Sequence, residues 1–212
     1  MKRARQIELP LRTWGGKRAG AGRKPNGARP GVPHRRRPPL SRHHPVHVTW
    51  RMLPHVWNLR TRRVFGEIAR AFVAAQLRPG FRLVHFSVQG NHVHLVCEAV
   101  DQVSLSRALQ SLAIRIARAL NRLMRRRGTV FADRFHEHVL RTVREVAHAV
   151  AYVVGNFAVH ALRRGLRIPA RFVDPFSSAA AGPPVVREPA TWLLRIGWRR
   201  AARPLALGSP SR

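Results

Sequence analysis

The sequence has a single cysteine, Cys97, and only nine acidic residues among 212. One cysteine excludes an intrachain disulfide, a cysteine-based zinc finger and an iron–sulfur cluster. The sequence has no run of about 18 apolar residues, the length that a membrane span needs. Its first ten residues lack the apolar segment of a secretory signal. We therefore expect a cytoplasmic protein with no membrane partner.

The scarcity of acidic residues leaves a large positive charge. Forty Lys and Arg residues against nine Asp and Glu give a formal net charge of +31. Such a charge points to a polyanionic partner, with nucleic acid favoured over an anionic membrane. We therefore expect the protein to be nucleoid-associated. Hydrophobic residues make up 45% of the chain, which excludes a wholly disordered basic protein and predicts a folded body.

Composition divides the chain into three parts. Residues 1–45 contain 13 Lys or Arg, one Glu and many Gly and Pro, which predicts a flexible basic arm. Residues 46–167 have the hydrophobic patterning of one globular domain. Residues 168–212 are rich in Pro and Ala and predict a loose basic tail with a short amphipathic segment at 192–198.

Hydrophobic periodicity predicts the elements of the central domain. Alternation predicts a strand over 46–52, two strands over 81–89 and 92–99 joined by Gly90-Asn91, and a strand over 135–140. Helical spacing predicts helices over 64–77, 104–127 and 143–163. The order β-α-β-β-α-β with an added C-terminal helix predicts an α+β fold with a ferredoxin-like antiparallel sheet.

Two histidines separated by one residue stand on the predicted central strand. His92 and His94 project from the same face of a strand, as a chelating pair requires. The spacing alone also fits exposed or hydrogen-bonded core histidines, because the chain has 12 histidines and a second such pair, His136 and His138. An exposed position beside phosphate is the favoured interpretation of that second pair. Cys97 falls on the opposite strand face from the first pair, which argues against a Cys-His site.

The only tyrosine of the chain, Tyr152, lies in the apolar last predicted helix. Asn156 follows one turn later and shares its helix face. This polar stripe fits the solvent face of an amphipathic helix, although Asn is unfavourable within a helix unless its side chain has a role.

In combination, these features resemble the single-tyrosine HUH transposases, and most closely the REP-associated tyrosine transposase branch of the IS-two-hundred-like superfamily. The resemblance covers residues 47–166 and rests on HVTWR (47–51), GNHVHLV (90–96), GTVFADRF (128–135) and AYVVGNFAVHAL (151–162). One departure is Phe157, which stands where relatives typically have proline after the asparagine.

The resemblance implies a metal-dependent endonuclease and transposase activity on single-stranded or hairpin DNA. Tyr152 would attack phosphorus and form a covalent 5′-phosphotyrosine, which conserves the energy needed for rejoining. His92, His94 and Asn156 would hold a divalent cation, Mg²⁺ or Mn²⁺, that polarises the phosphate. Relatives act as monomers or as homodimers, and the sequence does not choose between use of Tyr152 in cis and in trans.

Arginines are the predicted contacts to the DNA backbone. Seven of them and no acidic residue occur from position 107 to position 127, which makes an ordinary solvated face less favoured. The candidates on this helix and in the basic arm are Arg115, Arg118, Arg122, Arg125, Arg126, Arg127, Arg35, Arg36 and Arg37.

Two other functions remain open at this point. The chain could be a catalytically decayed or domesticated nucleic-acid-binding protein, in which the charge persists and the site has lost its activity. It could also be a metal-dependent nuclease in which His92 and His94 activate water and Tyr152 is structural. A covalent protein–DNA adduct distinguishes a transposase from the nuclease, because attack by water leaves no adduct.

Overall fold

The computed structural model describes residues 37–201, which form a four-stranded antiparallel sheet with helices. The strands are β1 (Val46–Arg51), β2 (Phe81–Val88), β3 (His92–Ala99) and β4 (His136–Val139), in the spatial order β2-β3-β1-β4. The helices are α1 (Arg62–Gln76), α2 (Gln102–Leu123) and α3 (Val143–Arg163). A π-helical turn, Leu193–Gly197, continues into the short α4, Trp198–Ala201. Within residues 37–201, no helix has the length and hydrophobicity that crossing a membrane requires.

Local capping chemistry defines where the three long helices begin. The side chains of Thr61, Asp101 and Thr142 each accept a hydrogen bond from a backbone N–H in the first turn of the helix that follows. At α3 the arrangement is a full capping box, because Glu145 also accepts from the backbone N–H of Thr142. These bonds satisfy amide groups that have no partner within the helix.

The sheet separates two apolar layers. Alternate residues of β1 and β3, such as Val48 and Leu95, are fully buried in the main core beneath α1 and α2. Val96 points to the other face, where it packs with Val150 and Val153 of α3. Side chains alternate between the faces of a strand, so His92 and His94 lie on the α3 side of the sheet.

The predicted α+β class and order of elements are confirmed, but the end of α2 differs from the prediction. The helix ends at Leu123, and Met124 is its C-cap. Arg125 has a φ of 51° and Gly128 a φ of 103°, both outside the right-handed helical region. Arg125, Arg126 and Arg127 therefore belong to the turn after α2 and not to the helix. The prediction extends the helix through them because arginine favours helices, but a run of such residues does not itself define where a helix ends.

Most of the predicted basic arm, residues 1–36, lies outside the described residues. Residues 37–45 differ from the flexible arm that composition predicts. Leu40 is buried in the main core, and the guanidinium of Arg37 forms a 2.8 Å ion pair with Glu137 and lies 3.8 Å from the ring centroid of Phe135. These contacts join the segment to β4.

The described part of the predicted tail, residues 168–201, is called here the C-terminal segment. It runs along the outer edge of β2, where the backbone N–H of Val88 donates to the carbonyl of Phe176 and that of Ser178 donates to Phe86, at 2.8 and 2.9 Å. Asp174 accepts two hydrogen bonds from the guanidinium of Arg60, at 2.7 and 2.9 Å. The segment packs where composition predicts a loose tail, because backbone pairing with an edge strand does not depend on apolar side chains.

Candidate active site

Strand pairing places further polar residues beside the two histidines of β3. In the antiparallel ladder between β1 and β3, Thr49 is opposite His94 and Arg51 is opposite His92. Residues directly opposite each other share a face of the sheet. Both pairs, with His47 two residues before Thr49, therefore face α3.

Helix α3 brings Tyr152 to this group. The ring centroid of Tyr152 lies 5.1 Å from that of His94 and 6.0 Å from that of His47, in edge-on arrangements. The rings of His92 and His94 are 4.8 Å apart. Tyr152 remains 48% exposed, so its phenol is accessible to a large substrate.

Three buried polar atoms on β3 and α3 have no hydrogen-bond partner. They are Nε2 of His94 and both amide atoms, Oδ1 and Nδ2, of Asn156, which is 1% exposed. Within residues 37–201 only one other buried side-chain atom, Oδ1 of Asn121, is in this condition. Leaving such an atom without a partner costs about 1–3 kcal/mol. A ligand that meets these atoms would remove that cost.

The contacts of the two histidines are compatible with a proton on Nδ1 in both rings, and for His92 they require it. Nδ1 of His94 lies 3.1 Å from Oγ1 of Thr49 and 3.3 Å from Nε2 of His47. Nδ1 of His92 lies 2.8 Å from Oδ1 of Asn91, an oxygen that can only accept. With both Nδ1 atoms protonated, the Nε2 atoms carry the lone pairs that a metal ion binds.

Burial keeps these imidazoles neutral. It lowers the pKa of His94 to about 3, with contributions from the neighbouring His92, His47 and His160. It lowers the pKa of His47 to about 4, with contributions from His138 and His136. Burial, then His160 and Arg51, also lower the pKa of His92. At neutral pH the rings are therefore in the unprotonated form that metal ligation requires.

The donor set at this site fits a divalent cation only when an amide is included. No three His, Cys, Asp or Glu side chains of residues 37–201 meet in a way that would hold a metal ion. The amide oxygen of Asn156 is a ligand type that hard cations accept, and it is buried without a partner. His92, His94 and Asn156 would together supply three neutral donors.

The continuity of α3 explains how Asn156 is held despite the unusual residue that follows it. The helix runs unbroken through Gly155 and Phe157 to Arg163. The ring of Phe157 stacks against the guanidinium of Arg60, whose Cζ lies 3.8 Å from the ring centroid. Phe157 thus connects α3 to Arg60, which lies just before α1. Through the hydrogen bonds of Arg60 to Asp174, it also connects α3 to the C-terminal segment.

The second histidine pair belongs to the same face of the sheet. His136 is opposite Thr49 and His138 is opposite His47 in the ladder between β1 and β4. Both are exposed, as the sequence predicts, and they neighbour the site without joining the His94 cluster. Cys97 is fully buried on the other face, where burial raises the pKa of its thiol.

The predicted DNA-binding arginines are dispersed. Arg115, Arg118 and Arg122 are exposed on α2, on the opposite side of the sheet from Tyr152, and Arg122 also lies 3.3 Å from Glu67. The three arginines after α2 lie at the start of the loop between α2 and β4. Farther along, this loop hydrogen-bonds to the end of β1. Arg37 is held by Glu137, and Arg35 and Arg36 lie outside the described residues. Their role in binding DNA stays a prediction.

Sequence reasoning missed three residues that the fold places near the histidine pair: His47, Thr49 and His160. The first two alternate on β1, so their common face was readable, but their contact with His94 depends on the register of the ladder. His160 lies two turns after Tyr152 on α3, at the i+8 position, where helical spacing could have indicated it.

Comparison with known proteins identifies a similar fold. No family model matches the chain, and no curated protein sequence matches it. A solved structure of a REP-associated tyrosine transposase bound to a REP hairpin superposes with a TM-score of 0.52 and 15% sequence identity, over 76% of this chain and 100% of that one. This likeness shows a related fold.

Proposed function

We propose that this protein is a DNA strand transferase of the transposase type, which cleaves and rejoins single-stranded DNA through Tyr152. The observation that carries the proposal is the position of the Tyr152 ring, 5.1 Å from His94, whose Nε2 is buried without a partner. The buried, unpartnered amide of Asn156, one turn after Tyr152 on α3, supports it. An ordinary solvent-facing stripe on α3 would not leave these atoms unsatisfied.

In the proposed reaction, the phenol of Tyr152 gives up its proton and its oxygen attacks a phosphorus atom of the DNA backbone. A tyrosine–phosphorus bond forms, the bond from phosphorus to the 3′ oxygen breaks, and the leaving strand takes up a proton to become a free 3′-hydroxyl. Attack by a 3′-hydroxyl on the phosphotyrosine reverses these changes and restores Tyr152.

The residues around Tyr152 have distinct tasks in this proposal. His92, His94 and Asn156 would hold Mg²⁺ or Mn²⁺, which when bound supplies Lewis-acid stabilisation of the phosphate oxygens. Thr49 and Asn91 orient the two rings through Nδ1. The exposed Arg51 lies opposite His92 on the same face and is placed to contact a phosphate beside the site.

Fold and charge support DNA as the partner. The strand order β2-β3-β1-β4 and the order of elements support a ferredoxin-like topology. The similar transposase structure contains a DNA hairpin, and we propose single-stranded or hairpin DNA as the partner here. The net charge of +31 suits that partner.

The test is a search for the covalent intermediate. Labelled single-stranded DNA incubated with the protein and Mn²⁺ or Mg²⁺ should give an adduct that survives denaturation, together with a fragment ending in a 3′-hydroxyl. Tyr152→Phe keeps the ring but lacks the attacking oxygen, so it should fold, bind DNA and form no adduct.

Two results would overturn this assignment. Cutting by the Tyr152→Phe variant would assign the site to a nuclease that uses water. Binding of DNA by the wild type without any cutting, across metals and substrates, would support the catalytically decayed binding protein.

A further inference from the structure

A basic concavity lies at the other end of β3 from His92 and outside the candidate active site. It is a cavity of about 400 Å³, bordered by the last residues of β3 and the first residues of β2. Four arginines from four separate segments line it: Arg42 before β1, Arg78 after α1, Arg82 on β2 and Arg187 in the C-terminal segment. We call it the arginine pocket.

The acidic residue of the arginine pocket is engaged in holding the fold together. Glu98 is 4% exposed, and its carboxylate accepts hydrogen bonds from the backbone N–H groups of Ala190 and Thr191 and from the hydroxyl of Thr191, at 2.7, 2.8 and 2.7 Å. A second carboxylate, that of Glu188, lies nearby and is exposed. Four arginines against two carboxylates leave an excess of positive charge.

The walls of the arginine pocket are fixed by buried hydrogen bonds. The amide of Gln76 donates to the carbonyls of Leu83 and Val185, at 2.8 and 3.1 Å, and accepts from the backbone N–H of Leu83 at 3.1 Å. One side chain thereby ties α1, β2 and the C-terminal segment together. Gly80 completes the turn with a φ of 70°, where a Cβ would lie 2.7 Å from Val100. A site built this way needs little reorganisation to bind a ligand.

We propose that the arginine pocket binds phosphates of the DNA backbone and holds a part of the DNA other than the strand at Tyr152. This inference rests on the proposed function for the identity of the partner. Arginine guanidinium groups bind phosphate oxygens in bidentate fashion, which suits a cluster of them to a phosphodiester backbone.

The distance between the two sites determines the length of DNA required. Glu98 is four residues after His94, which corresponds to about 13 Å along β3 at ~3.3 Å per residue. A duplex strand advances about 3.4 Å per phosphate, so the DNA must extend about four nucleotides beyond the cut to reach the pocket. A hairpin with a single-stranded extension meets this requirement, and a very short single strand does not.

The test compares two double variants that each remove two positive charges. Arg82→Gln with Arg187→Gln changes the pocket, and Arg62→Gln with Arg63→Gln changes two exposed arginines at the opposite end of α1. Affinity for a labelled hairpin with a single-stranded extension is measured by fluorescence anisotropy over a range of salt concentrations. Circular dichroism melting checks that each variant is folded.

We expect the pocket variant to lose about tenfold or more in hairpin affinity, and its dependence of log Kd on log salt to flatten by about two phosphate contacts. Its affinity for a trinucleotide, which is too short to extend from Tyr152 to the pocket, should stay at the wild-type value. The control variant should lose less. Arg82→Lys with Arg187→Lys keeps the charge but loses the bidentate contacts, so its salt dependence should match wild type while its hairpin affinity falls. Should the Gln variant fail to fold, an unchanged hairpin affinity of the Lys variant would contradict the inference.

Several outcomes would overturn the inference. Equal losses in the pocket and control variants would show diffuse attraction by net charge. Saturable binding of inorganic phosphate that the pocket variant lacks, with unchanged hairpin affinity, would indicate a small-anion site. Because binding is measured without cutting, a wild type that binds the hairpin and forms no adduct contradicts only the proposed chemistry, whereas a wild type that binds no DNA contradicts both.

Discussion

The hydroxyl of Thr49 lies 3.1 Å from Nδ1 of His94, across the ladder between β1 and β3. The opposite nitrogen of the ring, Nε2, is buried and has no hydrogen-bond partner. When the Thr49 hydroxyl accepts from Nδ1, the proton of His94 stays on that nitrogen and the lone pair of Nε2 faces the site.

The first prediction concerns this hydroxyl. Thr49→Val keeps the shape of the side chain and removes the acceptor, so we expect metal affinity to fall about 10–100-fold, as is usual when a partner of a ligating histidine is lost. Thr49→Ser retains the hydroxyl and should restore most of the affinity. Mn²⁺ binding followed by electron paramagnetic resonance measures the change without relying on cleavage.

Equal Mn²⁺ affinity in wild type, Thr49→Val and Thr49→Ser would contradict this role for Thr49. His47 would then be the partner of Nδ1 that matters, because its Nε2 lies 3.3 Å from the same atom.

The second prediction separates the two histidine pairs. His94→Ala removes a buried proposed ligand, so we expect metal-dependent cleavage to fall below detection while binding to single-stranded DNA stays nearly intact. His136→Ala alters an exposed ring on the same sheet face and should reduce cleavage only a few-fold. Adduct formation and DNA anisotropy measure the two effects. If His136 proves essential and His94 dispensable, the wrong pair has been chosen as ligands.

The third prediction is the pH dependence of stability in the absence of divalent cations. Burial lowers the pKa of His94 to about 3 and that of His47 to about 4, whereas a histidine in the unfolded chain titrates near 6.5. The unfolded state thus binds more protons between these values, so stability is full above about pH 6.5 and falls as the pH drops toward 4. Urea unfolding between pH 7 and 4.5 measures the slope.

His94→Gln removes one of the titrating groups and provides the control for this slope. Its free energy of unfolding should depend less steeply on pH over the same range, whatever its value at pH 7. A slope identical to wild type would show that His94 is not held neutral by the fold.

Local patterns account for the elements that the sequence predicts well. The bounds of α3, Val143–Arg163, agree with the prediction because apolar periodicity and the Thr142 cap are both local signals. The prediction of α2 extends four residues too far, because the backbone conformation of Arg125 depends on the turn back to β1. The packing of the C-terminal segment depends on a distant partner, the outer edge of β2, which composition cannot reveal.

The residues of the candidate site also divide into those that local spacing relates and those that only the tertiary fold brings together. His92 with His94, and Tyr152 with Asn156, are related by strand and helix spacing, so each pair could be found from the sequence. The contact of Thr49 with His94 requires the register between two strands that are more than 40 residues apart in the chain. That register depends on how both strands pack on α1 and α2.

The last prediction concerns how much of the N-terminal region can be removed. Residues 1–36 carry eleven Lys or Arg and one Glu, so their deletion should weaken DNA binding and flatten its salt dependence without unfolding the protein. Deletion of residues 1–45 also removes Leu40 from the main core and Arg37 from its ion pair with Glu137. Loss of the buried leucine alone should cost about 2–5 kcal/mol. Thermal melting of the two truncated proteins checks this difference, and equal melting temperatures would show that residues 37–45 contribute little to stability.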